Sequence, residues 1–388
     1  MTKTSINHIR IVTEDRTINN GSIIFEDGVI TGISDNPEAH DIRNKIDGSG
    51  LTAIPGFIDT HCHGGNGADA NDGTVGSIET LANFHLRHGV TGMYATLATD
   101  DFNKIIKGFE IIREYMHKNP EGNILGAHLE GPFLNIKYKG SQSEKYFIPF
   151  DEKYLPVINT YKDIIKRITL SPELEHHLQR ISELTGMGIV VSGGHSDADY
   201  DLMLEAAALG MNSVTHLYNA MSQVHKEGPF RICGMTEAAL TLDTLYAEII
   251  ADGYHVPVPL IQIAYRCKGA DKLLICSDAN GASGCKDGGV YHVYGHTFIV
   301  ENGIALNEQR TSLAGSVTPL DAMFRNLITL AGIPLEDAVK MASTNPAKMM
   351  GIDQRKGSLK TGKDADINLL DNEYRLAKTF CKGKEVKY

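Results

Sequence analysis

The fold is indicated first by residues 56–65, Gly-Phe-Ile-Asp-Thr-His-Cys-His-Gly-Gly, an apolar segment that ends in two histidines one residue apart. Side chains alternate across a strand, so His61 and His63 leave the same face while Cys62 leaves the other. Two imidazoles on one face can share a metal ion, and the two glycines remove side-chain bulk where the chain must turn away. Paired surface histidines would give the same short pattern, so the metal interpretation depends on the rest of the chain.

Composition restricts the classes of protein to which the chain can belong. Its 388 residues are 42% hydrophobic, enough to bury a large core, and the length fits one large α/β domain with a small accessory module. No apolar run approaches the roughly 18 residues of a membrane span, and residues 1–20 mix charges with apolar positions, unlike a signal peptide. The sequence therefore predicts a cytoplasmic protein with no membrane partner.

Charge and cysteine usage restrict the partners further. The net charge is -11 and no cluster of lysine and arginine offsets it, which disfavours nucleic acid as a partner but allows a phosphorylated small molecule. The six cysteines form no Cys-x-x-Cys pair, so neither a thiolate zinc site nor a disulfide framework is expected. We expect them to be reduced and mainly buried, at positions 62, 233, 267, 276, 285 and 381.

The hydrophobic periodicity predicts a parallel α/β barrel. From Gly56 onward apolar strands alternate with amphipathic helices, which is the pattern of βα units around a parallel sheet. Eight such units over roughly 290 residues are typical of a (β/α)8 TIM barrel. The predicted strands span 56–60, 91–97, 123–129, 167–171, 188–194, 212–216, 245–251 and 272–277. The predicted helices span 77–88, 101–117, 173–185, 198–209, 235–241, 257–266, 316–331 and 335–349, with a hairpin-like insertion at 290–308.

The two ends of the chain predict a second, smaller unit. Residues 1–54 contain short β segments separated by Asn-Asn-Gly, Asp-Gly and Gly-Ser-Gly turns, and short strands return at 366–370 and 376–381. We therefore expect a small antiparallel sheet at the N-terminus and C-terminal strands that rejoin it. The resulting prediction is a small discontinuous β-sandwich domain formed by 1–54 and 351–388, which brackets a barrel domain at 55–350.

Six potential metal ligands follow five of the predicted strands. In a barrel of this kind, catalytic residues collect where strands end and βα loops begin. One histidine or carboxylate there is easily a structural residue, but four histidines and two carboxylates at the same end are hard to explain by chance. This ligand set without cysteine suits Zn2+ first and also Fe2+, Mn2+ or Co2+, as two ions or as one ion with a free general base. The six residues are His61, His63, Glu130, His195, His216 and Asp278.

Longer motifs around these residues resemble a known enzyme family. Their order is that seen in the N-acetylglucosamine-6-phosphate deacetylases of the amidohydrolase superfamily, and the resemblance covers essentially the whole chain. The Glu-Gly-Pro-Phe and Thr-His-Leu-Tyr-Asn-Ala-Met runs are specific to the deacetylases, whereas the His-x-His pair and the Lys-Gly-Ser-Leu-Lys-Thr-Gly-Lys-Asp-Ala-Asp tail are shared more widely. The segments are 61–65, 128–133, 194–196, 215–221, 251–255, 277–279 and 356–366.

The resemblance implies the reaction and its metal ligands. The reaction would be metal-dependent hydrolysis of the acetamide of N-acetylglucosamine 6-phosphate to glucosamine 6-phosphate and acetate, in amino-sugar catabolism. Glu130, His195 and His216 would hold one divalent ion. His61 and His63 would hold a second ion with Glu130 as a bridge, because family members that lack the His-x-His pair look mononuclear. The expected cofactor is therefore one or two ions per chain.

Asp278 corresponds to the catalytic carboxylate of the family. Amide hydrolysis at neutral pH needs a strong nucleophile, and a metal ion lowers the pKa of bound water to about 7. Asp278 would take the proton of the attacking water and pass it to the departing amine, so that one carboxylate is base and then acid. The alternatives are a plain metal ligand or a helix N-cap, and the ligand and base roles can coexist.

The resemblance also implies several substrate contacts. Asn219 and Ala220, in the turn after a metal-binding histidine, would contact the substrate phosphate, where backbone N–H groups can bind its oxygens. His255 would reach across a dimer interface to the neighbouring subunit's substrate, which predicts a homodimer; a locally hydrogen-bonded histidine is the alternative. Gln142 falls where the family has a polar residue near the acetyl carbonyl. His225 is either a further substrate contact or an exposed loop residue.

Two departures from the family lie on the substrate side. The family usually continues after Asn-Ala-Met with His-His-Arg-x-Pro-Gly, whose arginine helps to bind the phosphate, but residues 225–231 are His-Lys-Glu-Gly-Pro-Phe-Arg. Lys226 or Arg231 could replace that arginine, although lysine is a point charge and arginine a planar fork. Where the family commonly has Ala-Met, this chain has Ala279-Asn280. The exact substrate therefore stays open, with N-acetylgalactosamine 6-phosphate or another small N-acyl amide as alternatives. A non-catalytic protein that keeps the barrel as a scaffold is the alternative to an enzyme.

Overall fold

A mixed β-sheet forms the first part of the chain in the computed structural model, which describes residues 3–38, 42–293 and 296–387. Its strands are β1 (Thr4–Val12), β2 (Thr17–Glu26), β3 (Val29–Ser34), β4 (Asn44–Asp47) and β5 (Thr52–Pro55). β1 is antiparallel to β2 but parallel to β4 and β5. The expectation of a purely antiparallel N-terminal sheet is therefore wrong. The physical reason is that the chain returns from β3 to the opposite edge of β1, and such a crossover makes the new pair parallel.

The middle of the chain forms a barrel of eight parallel strands, as predicted. The eight barrel strands are β6 (Phe57–Cys62), β9 (Val90–Ala98), β10 (Ile124–Glu130), β11 (Ile165–Leu170), β12 (Val190–Gly193), β13 (Ser213–Val214), β16 (Tyr246–Ile249) and β17 (Leu273–Ile275). The strands between them and after them form small separate sheets: β7 (Gly64–Gly65) with β8 (Ala68–Asp69), β14 (His225–Glu227) with β15 (Phe230–Ile232), and β18 (Val290–Val293) with β19 (His296–Glu301) and β20 (Ile304–Asn307). The barrel sheet has the order β6-β9-β10-β11-β12-β13-β16-β17, and every pairing in it is parallel. Its two edges meet where the amide of Asp278 donates to the carbonyl of His61 at 2.9 Å, so the barrel is nearly closed.

Helices cover the outside of the barrel. They are α1 (Val75–Arg87), α2 (Phe102–Lys118), α3 (Leu155–Thr160), α4 (His177–Gly186), α5 (Tyr200–Ala208), α6 (Met235–Thr241), α7 (Val258–Lys268), α8 (Leu320–Thr329), α9 (Leu335–Val339) and α10 (Asn345–Met349). A five-residue π-helical segment, Lys340–Thr344, joins α9 to α10 into the single helical stretch predicted at 335–349. None of the helices in the described ranges is long and apolar enough to cross a membrane.

α2 illustrates why these segments are helical. The Asp101 side chain accepts a hydrogen bond from the amide of Asn103 at 3.0 Å and so satisfies one of the free N–H groups of the first turn. Ile105, Phe109 and Ile112 recur with helical spacing and are fully buried. Each such side chain contributes about 1.5 to 3 kcal/mol through removal of apolar surface from water. By contrast, the short α3 was not predicted, because residues 131–164 carry no such periodicity.

The C-terminal strands rejoin the N-terminal sheet, as expected from the sequence. They are β21 (Ile367–Leu370), β22 (Leu376–Cys381) and β23 (Lys384–Glu385), and β21 pairs antiparallel with β5. The resulting eight-stranded sheet has its own buried apolar cluster, which includes Ile6, Ile9 and Phe380. The two-layer sandwich and the boundaries at 54/55 and 350/351 stay predictions.

His177 fastens the long loop between β10 and β11. Its Nε2 accepts a hydrogen bond from the amide of Phe150 at 3.0 Å, and its Nδ1 donates to the carbonyl of Ser171 at 2.8 Å. This pattern requires the neutral imidazole, since a protonated ring would have no acceptor for Phe150. Burial lowers the pKa of His177 to about 4, in agreement with that geometry.

Candidate active site

The six predicted ligands all lie at the C-terminal end of the barrel strands. His61 lies within β6, Glu130 is the last residue of β10, and the others follow their strands within three residues. Three of them have left-handed backbone conformations, with φ of 49° at His195, 35° at His216 and 42° at Asp278. Non-glycine residues pay about 1 to 3 kcal/mol for such strain, and it concentrates at functional sites.

Glu130, His195 and His216 form one compact triad. The Nε2 atoms of both histidines lie 3.1 Å from Glu130 Oε1 and 3.1 Å from each other. Each Nδ1 faces a backbone carbonyl, of Tyr138 at 2.7 Å and of Asn219 at 3.2 Å. The Nδ1 atoms therefore carry the protons, and the lone pairs of Nε2 point at one place, as ligands of a metal ion would.

His61, His63 and Glu130 form a second triad that shares the carboxylate. The two Nε2 atoms are 3.1 Å apart, and they lie 3.4 and 3.2 Å from Glu130 Oε1 and Oε2 respectively. Asp278 Oδ1 is 3.3 Å from both Nε2 atoms. Glu130 Oε1 faces His195, His216 and His61, whereas Oε2 faces His63. The six residues are therefore one connected cluster with room for two donor sets.

The electrostatics of the cluster favour a cation. Burial lowers the pKa of His63, but hydrogen bonds to Asp278 and Glu130 outweigh it and raise the pKa to about 9. Burial raises the pKa of Asp278, but the charges of His61 and His63 overcome it and hold the pKa below its ordinary value. The carboxylates thus stay ionised and draw positive charge to the imidazoles. Nitrogen and oxygen donors in this arrangement fit a divalent ion of the Zn2+ class.

Gln142 contacts this cluster directly. Its Nε2 donates to Glu130 Oε2 at 2.9 Å and lies 3.4 Å from His195 Nε2. Its Oε1 accepts from the amide of Thr99 at 3.1 Å and from the Thr99 hydroxyl. The structure therefore brings Gln142 to the cluster edge, where its amide group is held in one orientation.

A cavity of about 360 Å³ opens above the cluster. Four predicted substrate contacts line it together with the predicted catalytic carboxylate Asp278: Gln142, Asn219, Ala220 and His255. His255 Nδ1 is 2.6 Å from Asp252 Oδ2. Burial lowers the pKa of His255, but Asp252 outweighs it and raises the pKa above the ordinary value. His255 lines the cavity of its own chain, and its reach across a dimer interface stays a prediction.

The other three predicted substrate contacts lie outside this cavity. His225, Lys226 and Arg231 belong to the β14–β15 hairpin, where Lys226 pairs with Arg231, and all three side chains are exposed. None of them is among the residues that line the cavity. Their role as phosphate or substrate contacts within one chain gains no support from the geometry, and it stays a prediction.

Several residues at the site were missed by the sequence reasoning. Asp69 and Phe298 line the cavity, and Glu248 lies 3.1 Å from His61 Nδ1. Glu248 pairs in turn with Arg167, and both are completely buried. A usable signal was present for Glu248, which is the one charged residue of strand β16, since a charged residue in such a strand requires a partner. Arg167 follows Lys166 in β11, so its strand gave no such signal. No local pattern indicated Phe298, which reaches the cavity from the β18–β20 insertion.

Comparison with known proteins agrees with this architecture. Residues 52–386 match the model of the Amidohydrolase family. An N-acetylglucosamine-6-phosphate deacetylase from Bacillus subtilis (strain 168) is 34% identical over 387 residues, which are 97% of this chain and 96% of that protein. An N-acetylgalactosamine-6-phosphate deacetylase from Escherichia coli O157:H7 is 30% identical over 98% of both chains. The crystal structure of N-acetylglucosamine-6-phosphate deacetylase from Pasteurella multocida superposes with a TM-score of 0.92 at 30% identity over 99% of both chains. The chain therefore belongs to the amidohydrolase family.

Proposed function

We propose that the chain hydrolyses the acetamide of N-acetylglucosamine 6-phosphate to glucosamine 6-phosphate and acetate. The observation that carries the proposal is the pair of triads that share Glu130 and lie beside Asp278 on the floor of one cavity. A metal-dependent hydrolase needs ligands with open access and a separate proton carrier in this relation. The names of the relatives support the choice of substrate, because an N-acetylglucosamine-6-phosphate deacetylase matches at 34% identity and an N-acetylgalactosamine-6-phosphate deacetylase at 30%.

The residues present fit a divalent metal cofactor. Glu130, His195 and His216 would hold one ion, and His61 and His63 a second. We propose Zn2+, since neutral imidazole and carboxylate donors suit it best and Fe2+, Mn2+ or Co2+ next. When bound, the ion lowers the pKa of water and polarises the amide carbonyl, which is the chemistry that amide hydrolysis at neutral pH needs.

Asp278 would carry the proton. Its carboxylate is ionised at neutral pH and accepts a proton from the attacking water on the cavity side. The same proton then passes to the amine nitrogen as the C–N bond breaks, so the carboxylate returns to its starting state. The backbone of Asp278 is fixed from both sides, because its amide donates to His61 at 2.9 Å and its carbonyl accepts from Ser316 at 2.8 Å. The carboxylate is thereby held over the triads.

Polar groups of the cavity wall would position the sugar. The Gln142 amide lies beside Glu130, where it can contact the acetyl group. Asn219 and Ala220 line the cavity three and four residues after His216 and would contact the phosphate there. The backbone N–H of Asn219 donates to the carbonyl of His216 at 2.9 Å, so the backbone donor we propose for the phosphate is that of Ala220. The Nδ1 of His255 is occupied by Asp252, which orients the ring and leaves Nε2 for a sugar hydroxyl.

We further propose that the protein is a homodimer. The β14–β15 hairpin carries cationic Lys226 and Arg231 together with Phe230, which is 69% exposed. Phenylalanine and arginine are both enriched at protein–protein interfaces, which supports a role of this hairpin in the dimer. If these cations bind the 6-phosphate, they do so in the site of a second copy, since they do not line the cavity of their own chain.

The cellular location and domain division complete the proposal. All six cysteines are free thiols, which is typical of the reducing cytoplasm, where sugar phosphates are also retained. The terminal segments 1–54 and 351–388 would form one small domain, a β-sandwich, beside the barrel at 55–350. Strand β21 joins β5 across these segments and supports that division.

The deciding experiment is acetate release from three sugars at equal concentration: N-acetylglucosamine 6-phosphate, its galacto epimer and unphosphorylated N-acetylglucosamine. We expect the first to have the highest kcat/KM. A higher value for the galacto epimer would transfer the assignment to that sugar. Equal values with and without phosphate would contradict the phosphate part of the proposal, and no release from any of them would leave only the family assignment.

A further inference from the structure

A buried ion pair lies under the candidate metal centre, inside the barrel. Arg167 in β11 and Glu248 in β16 have no exposed surface. Arg167 Nη1 donates to Glu248 Oε2 at 2.5 Å, and Nη2 donates to the hydroxyls of Ser192 at 3.0 Å and Thr215 at 3.2 Å. A buried charge of this kind is costly unless it is paired and hydrogen-bonded, so the barrel interior is arranged around the pair.

The second oxygen of Glu248 faces the candidate metal ligand His61. Glu248 Oε1 lies 3.1 Å from His61 Nδ1, while Oε2 takes the hydrogen bonds of Arg167 and of the Thr60 hydroxyl at 2.7 Å. A carboxylate paired with an arginine is an acceptor only, so the proton of the bond belongs to His61 Nδ1. His61 Nε2, which faces Glu130 and Asp278, is then the nitrogen left for a metal ion.

This support is specific to one of the two triads. His195 and His216 direct Nδ1 to backbone carbonyls, which no side-chain substitution removes. Among the candidate ligand histidines, His61 is the one whose ring contacts a carboxylate outside the cluster in the described part of the chain. A carboxylate acceptor also makes the imidazole a stronger ligand than a carbonyl does.

We propose that Glu248, with Arg167 as its counter-charge, is a positioning residue that orients His61 and so maintains the second metal site. The inference rests on the proposed metal-dependent function and adds a difference between the two sites. The site formed by Glu130, His195 and His216 does not depend on the ion pair, whereas the site formed by His61 and His63 does. Loss of such outer hydrogen bonds typically costs about 10- to 100-fold in metal affinity.

The test is a zinc titration of metal-free protein against a competing chelator, with elemental analysis of the metal retained. In Glu248→Leu we expect the second zinc to bind about 10- to 100-fold more weakly and the first to bind as in the wild type. Glu248→Gln keeps an oxygen acceptor for Nδ1 and should recover part of the loss. Ser192→Ala is the matched control, because it removes one partner of Arg167 and leaves the Glu248 contact to His61 intact.

Two further arms make the outcome decisive. Glu248→Leu leaves the buried Arg167 without its counter-charge and can prevent folding. Arg167→Met with Glu248→Leu therefore removes both charges, a replacement that buried pairs commonly tolerate. Two zinc ions bound with wild-type affinity in this double variant would overturn the proposal, and so would a wild-type protein that binds only one. The zinc readout is independent of substrate, so failure of the deacetylase assay with intact two-zinc binding would reject the proposed function alone.

Discussion

Replacement of Asp278 by asparagine tests the proton carrier directly. The Asp278→Asn side chain keeps the shape of the carboxylate, whose Oδ1 lies 3.3 Å from His61 Nε2 and from His63 Nε2, but an amide cannot accept the proton of the attacking water. General acid and base groups contribute about 100- to 10,000-fold, so the barrier should rise by about 3 to 5 kcal/mol. The measurement is kcat for acetate release from N-acetylglucosamine 6-phosphate, with metal content by elemental analysis on the same sample.

Asp69→Asn provides the matched control for this experiment. Asp69 is a second buried carboxylate that lines the cavity, and its Oδ1 accepts from the amide of Asn71 at 3.0 Å, a bond that an asparagine oxygen can also accept. We expect less than about tenfold loss, because no proton is transferred to it. Near-normal kcat in Asp278→Asn would refute the role of Asp278, equal losses in both variants would indicate cavity charge instead, and loss of metal would identify a ligand.

Three further outcomes are expected. Elemental analysis should approach two metal ions per chain, and the double variant His61→Ala with His63→Ala should fall to one; a wild-type value that never exceeds one would contradict the second site. If Lys226 or Arg231 binds the phosphate, its replacement by alanine should cost about 10- to 150-fold in kcat/KM for the phosphorylated sugar and almost nothing for the unphosphorylated one. Unchanged selectivity in both variants would exclude the hairpin. For His177, the unfolded pKa of about 6.5 lies above the folded value of about 4, so the unfolded chain takes up the proton first and stability present above pH 6.5 is lost toward pH 4. Urea unfolding should show about 2 kcal/mol of this loss between pH 7 and 5, and a His177→Gln variant with the same loss would disprove the assignment.

The barrel could be predicted because its signals are local. Strand β9 shows an apolar run within nine residues, and helix α2 shows a helical periodicity within seventeen. Eight such units in succession leave few alternatives to a closed parallel sheet. The ligand positions follow for the same reason, since parallel strands place their C-terminal ends at one edge. A local pattern does not specify which distant segments pair with each other. For this reason β4 and its parallel pairing with β1 were not predicted.

The clustering of the six candidate ligands could be predicted from the sequence, whereas the rest of the cavity lining could be predicted much less well. His61 and Glu130 are identified by residue type and strand position alone. By contrast, Glu248 and Arg167 are 81 residues apart, and only closure of the barrel shows that they meet under His61. Phe298 is similar, because the insertion that carries it folds back over the cavity from outside the strand pattern.

The barrel interior contains one charge-balanced layer and, above it, one layer with excess negative charge. Arg167 neutralises Glu248, so that pair needs no further ion and can serve as a fixed support. Glu130 and Asp278 have no arginine or lysine partner among the described residues, and their neighbours are histidines that can be neutral. With neutral imidazoles this upper layer carries two negative charges at the floor of the cavity, in a place where uncompensated charge is expensive. A divalent ion compensates both, whereas protonated histidines would do so only at the expense of the lone pairs that the triads present. The same count of charges explains why Glu248, below His61, is paired with Arg167. An unpaired carboxylate there would have added a further negative charge and would have favoured protonation of His61.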